Sequence, residues 1–121
     1  MKNCCVVGLG YIGLPTAALL ANAGHNVTGV DINQNIVDSV NKGLCHIEEK
    51  GLEKIISKSV KDNKLSAKEI PEESDVFIIT VPTPIFEEEG KLPMPNLDIL
   101  FKAIESITKV LKKNNLLLIE S

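Results

Sequence analysis

Apolar residues fall into two patterns along this 121-residue chain. Four stretches run apolar with little alternation: Cys4-Cys5-Val6-Val7, Val27 to Val30, Val76-Phe77-Ile78-Ile79 and Leu116 to Ile119. Runs of this kind read as strands of a parallel sheet covered on both faces. Leu65 to Ala67 is at best a very short further strand. Between the runs, apolar positions recur at helical spacing. Ile12 to Ala23 reads as one helix, with Pro15 in its first turn and Gly24 as its stop. Asn33 is a cap for a second, which carries Ile36, Val37 and Val40 on one face and ends at Gly43. Leu52, Ile55, Ile56 and Val60 mark a third over 52–63. Leu97, Leu100, Phe101, Ile104, Ile107 and Leu111 mark a fourth, with Lys112 and Lys113 at its C-terminal dipole. Residues 85–96 read as a polar loop around Glu87-Glu88-Glu89-Gly90. The order β-α-β-α-α-β-β-α-β predicts one α/β domain, a doubly wound, mostly parallel sheet with helices on both faces.

The first strand runs into Gly8-Leu9-Gly10-Tyr11-Ile12-Gly13, and the second ends on Asp31. Strand, glycine turn, helix, strand and acid in this order are the fingerprint of a Rossmann-type dinucleotide-binding unit. Gly8 permits the tight turn, Gly10 lets a diphosphate approach the backbone, and Gly13 lets the helix pack against the sheet. The free N–H groups at the start of that helix favour an anion. Asp31 is placed to accept from the adenosine ribose hydroxyls and to repel a 2′-phosphate, so NAD is expected over NADP. The strand at 75–81 ends in Val81-Pro82-Thr83-Pro84, where two prolines stop further pairing at the carboxyl edge of the sheet. Thr83 is there either as a hydrogen-bond partner for the cofactor ribose or as a plain turn residue.

Charge changes this picture little. Lys and Arg number 13 and Asp and Glu 16, a net charge of −3, and hydrophobic residues make up 44%. No basic stripe or aromatic platform suggests nucleic acid. No apolar run reaches transmembrane length, and Met1-Lys2-Asn3 leads straight into a strand rather than a signal peptide. Cys4, Cys5 and Cys45 fit no metal spacing, so free thiols in a reducing cytoplasm are expected. Cys4 and Cys5 read as small buried hydrophobes, at least one of them inside. Cys45 lies in a loop, with a reactive role open to it. His25 reads as surface. His46 reads as a loop or packing residue with substrate contact as the alternative.

Gly8 through Ala17 resembles the opening of the UDP-glucose/GDP-mannose dehydrogenase family. Val30-Asp31-Ile32-Asn33-Gln34 is similar to the end of its second strand. Asn41-Lys42-Gly43, with His46-Ile47-Glu48-Glu49 and Leu52, is similar to the loop that follows. Val81-Pro82-Thr83-Pro84 and Leu118-Ile119-Glu120-Ser121 are similar to its fourth and fifth strand ends, so the resemblance runs the length of the chain. Leu14-Pro15-Thr16-Ala17 and His46-Ile47 lean toward members acting on UDP-N-acetyl-D-mannosamine. Ile36 stands where the family often has a cation.

The resemblance implies NAD-dependent oxidation of a sugar C6 alcohol to a carboxylate, with two NAD used in turn. It implies a UDP-sugar substrate, a homodimer or larger assembly, and a product for surface polysaccharide. The expected cofactor set is Gly8, Gly10, Tyr11, Ile12, Gly13, Asp31, Val81, Pro82, Thr83 and Ser121. The family's nucleophilic Cys and its Lys, Asn and Asp helpers fall after residue 121, so no catalytic residue is expected here, and Glu49 is expected to make a structural hydrogen bond. The stop at Ser121, directly off a strand, reads as the N-terminal piece of a longer enzyme whose central and UDP-binding domains are absent. The rival readings are a UDP-glucose 6-dehydrogenase, a β-hydroxyacid dehydrogenase and a non-enzymatic NAD-sensing module.

Overall fold

β1 (Asn3–Val7) presents nothing polar after its first residue, and Cys4 through Val7 are all buried. The computed structural model, which describes residues 1–120, places it at the centre of a parallel sheet. β2 (Asn26–Val30) pairs with one side of β1 and β4 (Val76–Ile79) with the other. β3 (Leu65–Lys68) lies outside β2, and β7 (Leu116–Ile119) outside β4. The order β3-β2-β1-β4-β7 makes this a Rossmann-type doubly wound sheet. The chain runs outward from β1 to β3, returns, and runs outward the other way from β4. The reversal falls between β1 and β4, where such sheets open a crevice at their carboxyl ends.

α1 (Gly13–Asn22), α2 (Gln34–Asn41) and α3 (Leu52–Lys61) supply one apolar layer, packed with Cys4, Val6, Val27, Leu65 and Ile78. α4 (Asp98–Thr108) covers the other face through Ala103 and Ile107, against Cys5, Val7, Val30, Phe77 and Ile79. Because side chains alternate along a strand, Cys4 and Cys5 point to opposite faces. Both thiols are buried and free, and burial raises both, Cys5 to about 11. α2 begins where expected, with Asn33 Oδ1 accepting from Asn35 N at 3.0 Å.

Four expectations need correction. Residues 85–96 are not simply a polar loop: β5 (Ile85–Phe86) and β6 (Met94–Pro95) form an antiparallel ribbon. β7 is not buried: it has one neighbour, and Leu116, Leu118 and Ile119 are exposed. The α4 stripe is narrower than its spacing suggests, because Phe101 is 59% exposed and Leu111 lies beyond the helix end. Lys112 serves an ion pair with Glu73 at 2.8 Å rather than the helix terminus. The short run at 65 does form a strand, four residues long, at the opposite edge of the sheet from β7.

Candidate functional site

The carboxyl end of β1 becomes a turn because Gly8 adopts φ +99°, a region that a side chain would strain. Gly8 N donates to Val30 O at 2.7 Å, which ties the turn to the end of β2. One residue on, Leu9 N donates to Asp31 Oδ2 at 3.0 Å, while Asp31 Oδ1 accepts from Asn33 N at 2.9 Å. The carboxylate is therefore fixed between the glycine turn and the entry to α2. Each oxygen has used one lone pair and keeps another, two acceptors side by side for a vicinal diol.

Gly13 opens α1. A methyl group there would sit inside the van der Waals envelopes of Gly8 O and Thr80 Oγ1, so only a bare Cα allows the helix to start so near the sheet. Gly10 differs: a Cβ built on it meets nothing within 4 Å. The space beside its backbone is open, as the approach of a diphosphate requires. α1 also lacks the side-chain cap that Asn33 gives α2: its N-cap position, Ile12, makes none, and its first turn holds no acid. Among the described residues no backbone carbonyl accepts from the N–H of Tyr11, Ile12 or Gly13. An uncapped helix end keeps its donors and its positive dipole for an anion. Tyr11 is 83% exposed, and its backbone flanks the open space.

At the end of β4, Thr80 is buried and donates from its backbone N to Val7 O at 2.8 Å. Its hydroxyl donates to Gly8 O at 2.7 Å. Val81 and Thr83 follow, half-buried, with Pro82 exposed between them. The structure thus gathers Gly8, Gly10, Tyr11, Ile12, Gly13 and Asp31 on one turn, and sets Val81, Pro82 and Thr83 off the adjacent strand end. Ser121 lies outside the described residues. Thr80 is a residue that the reading of the sequence missed. The available signal was parity: Thr80 shares a face with Val76 and Ile78, the face that packs on α1.

In the loop between α2 and α3, Glu49 is exposed and makes its structural hydrogen bonds through the backbone, its N donating to Ile47 O and its carbonyl accepting from Leu52 N, both at 3.1 Å. The Glu53 carboxylate adds a side-chain bond, accepting from Cys45 N at 3.1 Å. Cys45 is half-buried and donates its thiol to Ile47 O, and His46 is exposed. His25 is half-buried, not plain surface, and its Nδ1 accepts from Lys2 N at 3.1 Å. A polar cavity of about 270 Å³ lies at the opposite, amino end of the sheet, lined by Asn3, Asn26, Ser66 and Glu72. There the Lys68 ammonium and the Thr28 hydroxyl hold the Glu72 carboxyl below its ordinary range. Among the described residues no group of three or more His, Cys, Asp or Glu is placed to hold a metal. Among the described residues no helix is long and apolar enough to cross a membrane.

The model of the UDP-glucose/GDP-mannose dehydrogenase family, NAD binding domain, matches residues 2–121. A UDP-N-acetyl-D-mannosamine dehydrogenase of Campylobacter jejuni is 55% identical over 117 residues, 97% of this chain and 28% of that protein. An NDP-N-acetyl-D-galactosaminuronic acid dehydrogenase of Ralstonia nicotianae is 44% identical over 120 residues, 99% of this chain and 27% of that one. The solved UDP-N-acetyl-mannosamine dehydrogenase of Staphylococcus aureus superposes with a TM-score of 0.92 at 42% identity, covering 98% of this chain and 28% of that structure. The chain therefore spans little more than a quarter of the length of these relatives.

Proposed function

The chain belongs to the UDP-glucose/GDP-mannose dehydrogenase family as its NAD-binding domain, and from that premise we propose that it holds NAD where β1 and β4 end, as the N-terminal part of a UDP-N-acetyl-D-mannosamine 6-dehydrogenase. One observation carries the site: the uncapped start of α1, the open space at Gly10 and the fixed Asp31 carboxylate converge on a single turn. The residues present fit the cofactor. The backbone at Gly8, Gly10, Tyr11, Ile12 and Gly13 receives the diphosphate. Asp31 takes the adenosine ribose diol with its two remaining lone pairs and disfavours the 2′-phosphate of NADP by like charge. Val81, Pro82 and Thr83 form the wall on the nicotinamide side, with the Thr83 hydroxyl available to the second ribose.

When bound, NAD supplies the hydride acceptor, and two of them in succession account for the four electrons between alcohol and carboxylate. No group among residues 1–120 is assigned a part in the chemistry itself. The nucleophile, the sugar contacts and the homodimeric or larger assembly belong, in this reading, to central and UDP-binding domains beyond this segment. The share of each relative that the match covers supports that division. The sugar assignment rests on the 55% and 42% identities to enzymes named for N-acetylmannosamine. A cytoplasmic setting, with no membrane or nucleic-acid partner, accords with the buried free thiols and the acidic balance.

Calorimetric titration of the 121-residue protein with NAD and NADP, beside an absorbance assay with UDP-N-acetyl-D-mannosamine, tests the reading. Binding of NAD in preference to NADP without turnover is the expected result. Turnover by this segment alone would place the chemistry here and overturn the division. A natural gene that encodes no downstream Cys-bearing domain would favour the NAD-sensing alternative.

A further inference from the structure

The peptide plane between Gly8 and Leu9 is held at both of its ends. Its carbonyl oxygen accepts from Thr80 Oγ1 at 2.7 Å, and its N–H donates to Asp31 Oδ2 at 3.0 Å. The two partners come from different strands, Thr80 from the end of β4 and Asp31 from the end of β2, on either side of β1. Thr80 is itself fixed: it is buried, its backbone N donates to Val7 O at 2.8 Å, and its hydroxyl lies within 3.2 Å of the same carbonyl. Its Oγ1 also fills the position beside the bare Cα of Gly13. One hydroxyl thus touches the first and the last glycine of the turn.

We propose that Thr80 is a positioning residue for the dinucleotide site: its hydroxyl sets the orientation of the Gly8–Leu9 peptide, and through that peptide the Asp31 carboxylate and the turn that receives the diphosphate. The inference rests on the reading that NAD binds at this turn. The physical reason is conformational freedom. Gly8 and Gly10 flank Leu9, and glycines leave a backbone many states of similar energy. A turn that is ordered before the ligand arrives spares the ligand that ordering cost. Without the hydroxyl, the Gly8 carbonyl loses a buried donor and the peptide is free to rotate. Rotation withdraws the Leu9 N–H from Asp31 and turns a carbonyl dipole toward the place of the diphosphate.

Three variants separate this role from packing. Thr80→Val keeps the shape and removes the donor, Thr80→Ala removes both, and Thr80→Ser keeps the donor on a smaller side chain. NAD affinity by titration is expected to fall about fivefold in Thr80→Val, the factor that one net hydrogen bond supplies, and to stay near wild type in Thr80→Ser. Amide hydrogen exchange supplies the readout that a packing role leaves unmoved. Exchange at Leu9 should quicken in Thr80→Val by a larger factor than at Val6 and Phe77, whose rates report the change in global stability. Should Thr80→Val fail to fold, Thr80→Ala against Thr80→Ser is read in the same way. Wild-type NAD affinity in Thr80→Val with unchanged exchange at Leu9 overturns this inference alone. A wild-type protein that leaves NAD unbound overturns the site reading, and this inference with it.

Discussion

β4 and β7 lie side by side in register, Val76 to Ile79 against Leu116 to Ile119, and their surroundings have little in common. β4 has a strand on each side, α1 on one face and α4 on the other, and Phe77 is fully buried. β7 has one neighbour, and Leu118 is 45% exposed. The two strands are equally apolar, so burial here belongs to the place in the sheet and not to the strand. The same difference separates their ends. β4 delivers Thr80 into the crevice at the reversal of strand order, where its hydroxyl reaches Gly8. β7 lies at an open edge of the sheet, with Leu116, Leu118 and Ile119 exposed.

The contrast can be broken first at its buried end. Phe77→Ala should cost about 3–5 kcal/mol of unfolding free energy in denaturant titration, as for a fully buried aromatic. A loss below about 1 kcal/mol would mean that β4 is not the rigid centre described. Gly13→Ala should cost about 1–3 kcal/mol by overpacking against Gly8 and Thr80, and should abolish measurable NAD binding. Retained binding would show that α1 can start further from the sheet. Asp31→Ala should weaken NAD by about 1–2 kcal/mol, the worth of a charge-assisted hydrogen bond, and narrow the preference over NADP. Unchanged affinity would remove Asp31 from the ribose.

A pH series sharpens the same picture from inside β1. The folded Cys5 thiol ionises near 11, pushed up chiefly by burial, whereas an ordinary thiol ionises near 9. Between those values the unfolded chain loses its proton first, so the contribution of Cys5 to stability is complete below about pH 9 and disappears as pH climbs toward 11. Cys5→Ala should flatten the slope of stability against pH in that window. A parallel slope in both proteins would assign the loss to other groups. The smallest effects belong to the open side. Phe101→Ala and Leu118→Lys should each shift stability by no more than about 0.5 kcal/mol in the 121-residue protein. A larger loss would show that the β7 edge is covered in solution.

The glycine turn was legible because its logic is local. Strand, glycines, helix, strand and acid occupy residues 3 to 31 without interruption, and each constrains its neighbour through backbone geometry. The ribbon at Ile85–Phe86 and Met94–Pro95 was not legible, since two residues are too few to show a period of two. The part of Glu53 was not legible, because a loop's fold is needed to know that its carboxylate faces Cys45 N.

The sequence by itself determined the α/β class, the βαβ unit and the acid that closes it, because contiguous residues carry period, turn and cap without help from elsewhere. Which apolar run lies at the centre and which at the edge was decided only by tertiary structure, through the number of neighbours each strand acquires. So was the part played by Thr80, which stands 72 residues from the Gly8 carbonyl it meets. A hydrogen bond of that separation leaves no mark on local pattern. It exists because the chain reverses its strand order between β1 and β4 and brings two distant strand ends to one crevice.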